Sequence, residues 1–129
     1  NKLRDGHDHH LDCGVEIMYD AANCMRMGRH ILFNASNEHD RLGAVWLQRH
    51  LGSDYKVWIV NIADSHIDSL FLPIRPGLAL ITDKKTELSK YGVNVLPSQI
   101  RHCEIFGGGH HCTTIDVRRK GKLENYFNE

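Results

Sequence analysis

One helix signal set between two strand signals constrains this chain most. Asn37 is a fair helix N-cap, Glu38 and Asp40 fall in the first turn, and Gly52 stands where the helix would stop. Between them Leu42, Val45, Trp46, Leu47 and Leu51 recur at helical spacing, which predicts a stripe packed on the core. Before the helix, Met25 to Asn34 partly alternates apolar and polar residues, and Gly28 interrupts the run where a bulge or hairpin turn fits. After it, Lys56 to Ile62 is rich in β-branched and aromatic residues and predicts a strand.

The alternation continues. Pro73 and Pro76 bracket a predicted turn, and Gly77 to Thr82 reads as a short buried strand. Asp83 to Tyr91 predicts a short helix ended by Gly92. Val93 to Leu96 predicts a strand stopped by Pro97, and Cys112 to Val117 another. Strands alternating with helices predict an α/β fold.

A chain of 129 residues makes one domain with a modest core. Sixteen basic and 16 acidic residues give a formal net charge of +0, which argues against broad attraction to nucleic acid or an anionic membrane. No apolar run approaches the roughly 20 residues of a membrane span, and no signal-like segment opens the chain. The chain starts at Asn1 rather than Met, so it reads as processed or as a fragment. Cys13, Cys24, Cys103 and Cys112 include no C-x-x-C pair and are too sparse for a secreted disulfide scaffold. The thiols therefore read as reduced and the protein as cytoplasmic. His7, His9 and His10 lie with Asp8, Asp12 and Cys13 near the start. Ligands bunched so tightly seldom satisfy one tetrahedral ion. The expectation is an exposed terminal stretch, with no metal and no cofactor.

The chemistry concentrates in Gly107-Gly108-Gly109-His110-His111-Cys112. Glycines let the backbone turn tightly and a substrate approach closely. A thiolate is a strong nucleophile, so Cys112 placed after such a run is a candidate, although a lone cysteine is ordinarily a small buried hydrophobe. On a strand, His111 would point to the face opposite Cys112. His66, at the end of the preceding strand, is the better partner. His66 and Asp68 are spaced to share one side of an extended chain, joining an imidazole that moves protons to a carboxylate that binds cations. The competing reading, equally weighted, has His66 capping a turn and Asp68 solvated. Asp20, flanked by apolar residues, reads first as a turn-forming residue, with a histidine as its natural partner if buried. Arg118, Arg119 and Lys120 read as a solvated strand end before Gly121.

Together these segments resemble the arginine:amine amidinotransferases, the group of glycine and inosamine-phosphate amidinotransferases. The resemblance is carried by Tyr19-Asp20-Ala21-Ala22-Asn23, by Trp46-Leu47-Gln48-Arg49-His50-Leu51, and by His66-Ile67-Asp68-Ser69 with Pro76-Gly77. It is most specific in the run from Gly107 to Arg119, and the order matches the family's. It implies a pentein fold, an α/β propeller of five blades, of which only part is present within residues 1–129. It also implies roles. Cys112 matches the nucleophile that takes the amidino group of L-arginine, His66 the proton shuttle, Asp20 the carboxylate that orients it, and Asp68 a carboxylate that grips the guanidinium. The implied partners are L-arginine and an acceptor amine, with a homo-oligomer open to it.

The chain also departs from the family. Members are several times longer, and no residue here matches a second guanidinium carboxylate from an earlier blade. The stretch from His66 to Cys112 is shorter by about a blade, with a junction expected between Thr82 and Glu87. Lys85 is a weak stand-in for groups that bind the substrate carboxylate. The alternatives are a guanidine hydrolase of the same fold, of the arginine deiminase type, and a non-catalytic remnant that binds a partner through exposed strand edges.

Overall fold

The computed structural model describes residues 17–64, 66–82, 93–102, 105, 108–115 and 123–127. Strands β1 (Cys24–Met27) and β2 (His30–Asn34) form a hairpin. Met27 pairs with His30 across a two-residue turn, and Gly28 there has φ 68°. A glycine reaches that conformation without steric cost. The interruption at Gly28 is therefore the hairpin turn.

Helix α1 (Glu38–Leu51) follows, with the predicted caps. Asn37 Oδ1 accepts from Asp40 N at 2.9 Å, satisfying one of the free N–H groups of the first turn. Gly52 closes the other end at φ 66°. The inward face differs from the predicted stripe. It is made of His39, Gly43, Ala44 and Leu47, while Val45 and Trp46 are exposed. Small residues on that face let the helix lie close to the chain: a side chain at Gly43 would collide with the Met18 backbone. Trp46 instead stacks on His50, one turn along, with ring centroids 5.2 Å apart.

Strand β3 (Lys56–Val60) then lies parallel to β2, giving a sheet in the order β1-β2-β3 with α1 as the crossover. Gln48 ties helix to strand, because its Oε1 accepts from Val57 N at 2.8 Å while its Nε2 donates to Gly52 O and Tyr55 O. Ile31, Phe33, Ala35, Ala44 and Leu47 form the core under α1.

The second half repeats this pairing. Strands β4 (Phe71–Arg75) and β5 (Leu78–Ile81) form a hairpin, and β6 (Asn94–Pro97) adds parallel to β5. The order β4-β5-β6 thus matches β1-β2-β3 in pairing sense. The turn is Pro76-Gly77, with Gly77 at φ 72°, the arrangement of proline and glycine that a type II turn favours. Pro73 is not in a turn but inside β4, at a register shift. An edge strand tolerates a residue that lacks an N–H. The predicted helix from Asp83 to Tyr91, the junction from Asp83 to Glu87, Lys85, Cys13, Cys103, the N-terminal histidines and Arg118 to Lys120 lie outside the described residues.

A second core joins the two halves. Met25 and Met27 of β1 pack with Phe71, Ala79 and Ile81 of the second sheet, and Ile67 and Val93 complete the cluster. Phe71, Met27, Ile67 and Ile81 are fully buried. This core fixes the chain on both sides of Ile67. Among the described residues no helix is long and apolar enough to cross a membrane.

Candidate active site

Three short segments converge beside that core. The first begins at Asp20, whose backbone is extended where it caps a single 3-10 turn, Ala21–Asn23. Asp20 Oδ1 accepts from Ala22 N at 2.9 Å, and Asn23 N donates to Asp20 O at 3.0 Å. Asp caps such turns well because its short side chain reaches the free N–H groups. The carboxylate is thereby held before it meets any other side chain. Its second oxygen, Oδ2, lies 3.1 Å from His66 Nε2. Asp20 shapes a turn and faces a histidine, but it does so exposed to solvent rather than partly buried as its apolar neighbours suggested.

The second segment is α2 (Ile67–Leu70), one helical turn with His66 as its N-cap. Strand β3 ends at Val60, six residues before His66. Asn34 at the end of β2 pins the intervening chain, donating from Nδ2 to Ala63 O at 2.9 Å and accepting from Ile62 N and Ala63 N. The extended His66-Ile67-Asp68 expected from spacing is thus a helix start. The reason is local. Ile67 and Leu70 sit three apart over the core, and the His66 carbonyl accepts from both Ser69 N and Ser69 Oγ. His66 and Asp68 consequently differ in environment. His66 is about half exposed, whereas Asp68 is 8% exposed.

The third segment is the cysteine turn. Gly108 has φ 82°, and a Cβ there would come 3.1 Å from Cys112 Cβ. The chain curls instead of extending. Thr113 N donates to Gly109 O, Thr113 Oγ1 to His110 O, and Thr114 Oγ1 to His111 O. Threonine hydroxyls bonded to carbonyls three residues back compete with strand pairing. The strand predicted from Cys112 is therefore a turn at its start, and Asp116 and Val117 lie outside the described residues. Cys112 is exposed and free.

The turn docks directly on α2. Gly109 lies against the Ser69 backbone so closely that a side chain would collide with it. His111 N donates to Asp68 O at 3.4 Å. His110 is buried, with Nδ1 at 3.3 Å from Thr82 Oγ1, and Thr82 Oγ1 donates to Ser69 O at 2.9 Å. A hydroxyl has one proton. Thr82 spends it on Ser69, so it accepts from His110, and the His110 proton sits on Nδ1.

Sequence reasoning missed His111. Its Nδ1 lies 3.5 Å from Asp68 Oδ2, although a strand would have turned it away. The three glycines before it were the available signal, since they favour a curled chain over a strand. Asp68 Oδ1 is buried with no hydrogen-bond partner among the described residues. A buried carboxylate oxygen left unmatched costs about 1–3 kcal/mol or more. The structure thus joins Asp20 to His66 directly, and Cys112 to Asp68 through its turn. Among the described residues no hydrogen bond links Cys112 to His66, and no group of three or more His, Cys, Asp or Glu is arranged to hold a metal ion.

Inosamine-phosphate amidinotransferase 1 of Streptomyces glaucescens is 31% identical over 173 aligned positions, covering 87% of this chain and 50% of the relative. The chain is a homologue of the amidinotransferases. Mitochondrial glycine amidinotransferase of Xenopus tropicalis is 30% identical over 87% of the chain and 41% of the relative. The L-arginine:L-lysine amidinotransferase of Pseudomonas savastanoi is 28% identical, covering 87% and 47%. Among solved structures, inosamine-phosphate amidinotransferase of Streptomyces griseus superposes with a TM-score of 0.62 at 30% identity, over 89% of this chain and 51% of that one. An amidinotransferase of Microseira wollei, at TM-score 0.57 and 24% identity, shares the fold. No family model matches.

This amidinotransferase homologue spans about half the length of the curated relatives it matches. The 173 aligned positions exceed its 129 residues, so those relatives carry stretches without a counterpart here.

Proposed function

We propose that this chain carries the nucleophile's side of an amidinotransferase site, moving an amidino group from L-arginine to an acceptor amine. The observation that carries this reading is the contact of Asp20 Oδ2 with His66 Nε2 at 3.1 Å, made by a carboxylate already fixed to Ala22 N. A carboxylate held this way sets the orientation of an imidazole, which can then move protons at the reacting centre.

In the proposed reaction Asp68 takes the N–H donors of the guanidinium and fixes its plane. The Cys112 thiolate adds to the guanidinium carbon. The carbon–nitrogen bond to the ornithine amine breaks, and His66 gives that nitrogen its proton. The acceptor amine then attacks the amidino-cysteine, passes a proton to His66, and expels the thiolate. The cycle needs neither metal nor cofactor, and its products are ornithine and a guanidino compound. The shared pairing of the two sheets supports reading each as one blade of a pentein-type propeller.

Product analysis tests the reaction class. With L-arginine and glycine or lysine as acceptor, a guanidino product together with ornithine is expected. Citrulline in its place would move the assignment to a hydrolase of the deiminase type. A folded protein that turns over no arginine would leave a binding remnant. That second reading has its own support in the exposed Trp58, Ile59 and Ile62 on and just after β3, which among the described residues is the edge strand of the first sheet.

A further inference from the structure

We propose that His111 is a specificity-determining residue of the guanidinium site, a resident donor on Asp68 that a cationic substrate must displace. The inference rests on the reading above in which Asp68 receives the guanidinium. His111 Nδ1 lies 3.5 Å from Asp68 Oδ2, at ion-pair length, and the His111 backbone N–H donates to Asp68 O. The backbone bond holds the residue in place, while the ring is 62% exposed and so has solvent on its outer side. Asp68 is buried and fixed on α2, so it is the ring that yields.

The two oxygens of Asp68 are unequal. Oδ2 has the imidazole, and Oδ1 is buried without a hydrogen-bond partner among the described residues. A guanidinium presents paired N–H donors that match both oxygens of a carboxylate. It can use both only if His111 leaves Oδ2. A protonated His111 resists leaving, because its charge is lost to the buried carboxylate and it repels the incoming cation. A neutral His111 leaves readily. Binding of a guanidinium is therefore weaker where His111 is charged.

Other titrating groups face the same place. His66 caps α2 and pairs with Asp20, Cys112 follows His111, and buried His110 on the same turn bonds to Thr82. These remain when His111 alone is replaced, so the comparison isolates its effect.

The test measures L-arginine binding by calorimetry at about pH 5.5 and pH 8, in a Cys112→Ser background that prevents turnover. An imidazole passes from mostly charged to mostly neutral across that range, and the competent fraction scales the apparent affinity. Binding up to about tenfold weaker at the lower pH is expected. Adding His111→Gln should flatten that dependence and raise affinity at low pH. Equal pH dependence with and without His111→Gln would overturn the inference while leaving the Asp68 reading intact. No binding at either pH in folded protein would overturn the Asp68 reading, and this inference with it.

Discussion

Asp20 meets His66 with one carboxylate oxygen and its own backbone with the other: Oδ2 lies 3.1 Å from His66 Nε2, and Oδ1 accepts from Ala22 N at 2.9 Å. The two oxygens divide the work. One fixes the geometry, and the other faces the histidine. Asn can replace Asp as a cap at little cost but carries no charge. Asp20→Asn should therefore keep the fold, with a stability change below about 1 kcal/mol, and lower the rate of amidino transfer by about 100-fold or more. Thermal melts and turnover measured together check both halves. A large loss of stability would show that the turn depends on the charge.

Gly109 tests the docking of the cysteine turn. A side chain there collides with the Ser69 backbone. Forcing atoms into such a contact costs about 1–3 kcal/mol. Gly109→Ala should destabilise by that order and shift the Cys112 turn off α2, lowering the reactivity of Cys112 towards arginine. Denaturant unfolding and peptide-mapped labelling read the two effects separately.

Asn37 tests the fold away from the site. Its Oδ1 caps α1 through Asp40 N. Asn37→Ala should cost about 1 kcal/mol in stability and leave amidino transfer unchanged. A loss of transfer without loss of structure would mean that α1 positions the site more directly than its contacts indicate.

Cys24 gives a pH prediction. Burial pushes its thiol up to about 11 from an ordinary value of 9.0, helped by the nearby Asp20 charge and opposed by a hydrogen bond with Tyr19. The folded chain thus holds this proton more tightly than the unfolded chain. The contribution to stability is present below about pH 9 and is lost as pH rises towards about 11. Alkylation at about pH 8, followed by peptide mapping, should modify exposed Cys112 well before Cys24. Equal rates at the two thiols would contradict the burial of Cys24.

The sequence was most legible where a signal is long. Fourteen residues between Asn37 and Gly52 carry a helix, and both of its caps are visible in the residue types. It was least legible where one turn decides. Helix α2 is four residues, too short for any periodicity to separate it from an extended His66-Ile67-Asp68. Strand β4 contains Pro73, which suggests a turn until its place on a sheet edge is known. Cys112-Thr113-Thr114-Ile115 reads as strand from its β-branched residues, yet the threonine hydroxyls bond back to His110 and His111 and keep it curled. Asp20, His66, Asp68 and Cys112 are candidates by residue type and by the resemblance, and the structure brings Asp20 to His66 and the Cys112 turn to Asp68. The geometry joining them, and the part of His111 in it, depends on those short turns.

The most direct measurement follows L-arginine labelled in its amidino carbon. The folded chain is incubated, quenched and cut into peptides, and the label is located. Label is expected on Cys112, none on Cys24 or Cys103, with loss of label in Cys112→Ser and release of label when an acceptor amine is added. Label that persists in Cys112→Ser, or a folded wild-type chain that binds arginine yet takes up none, would contradict the proposal.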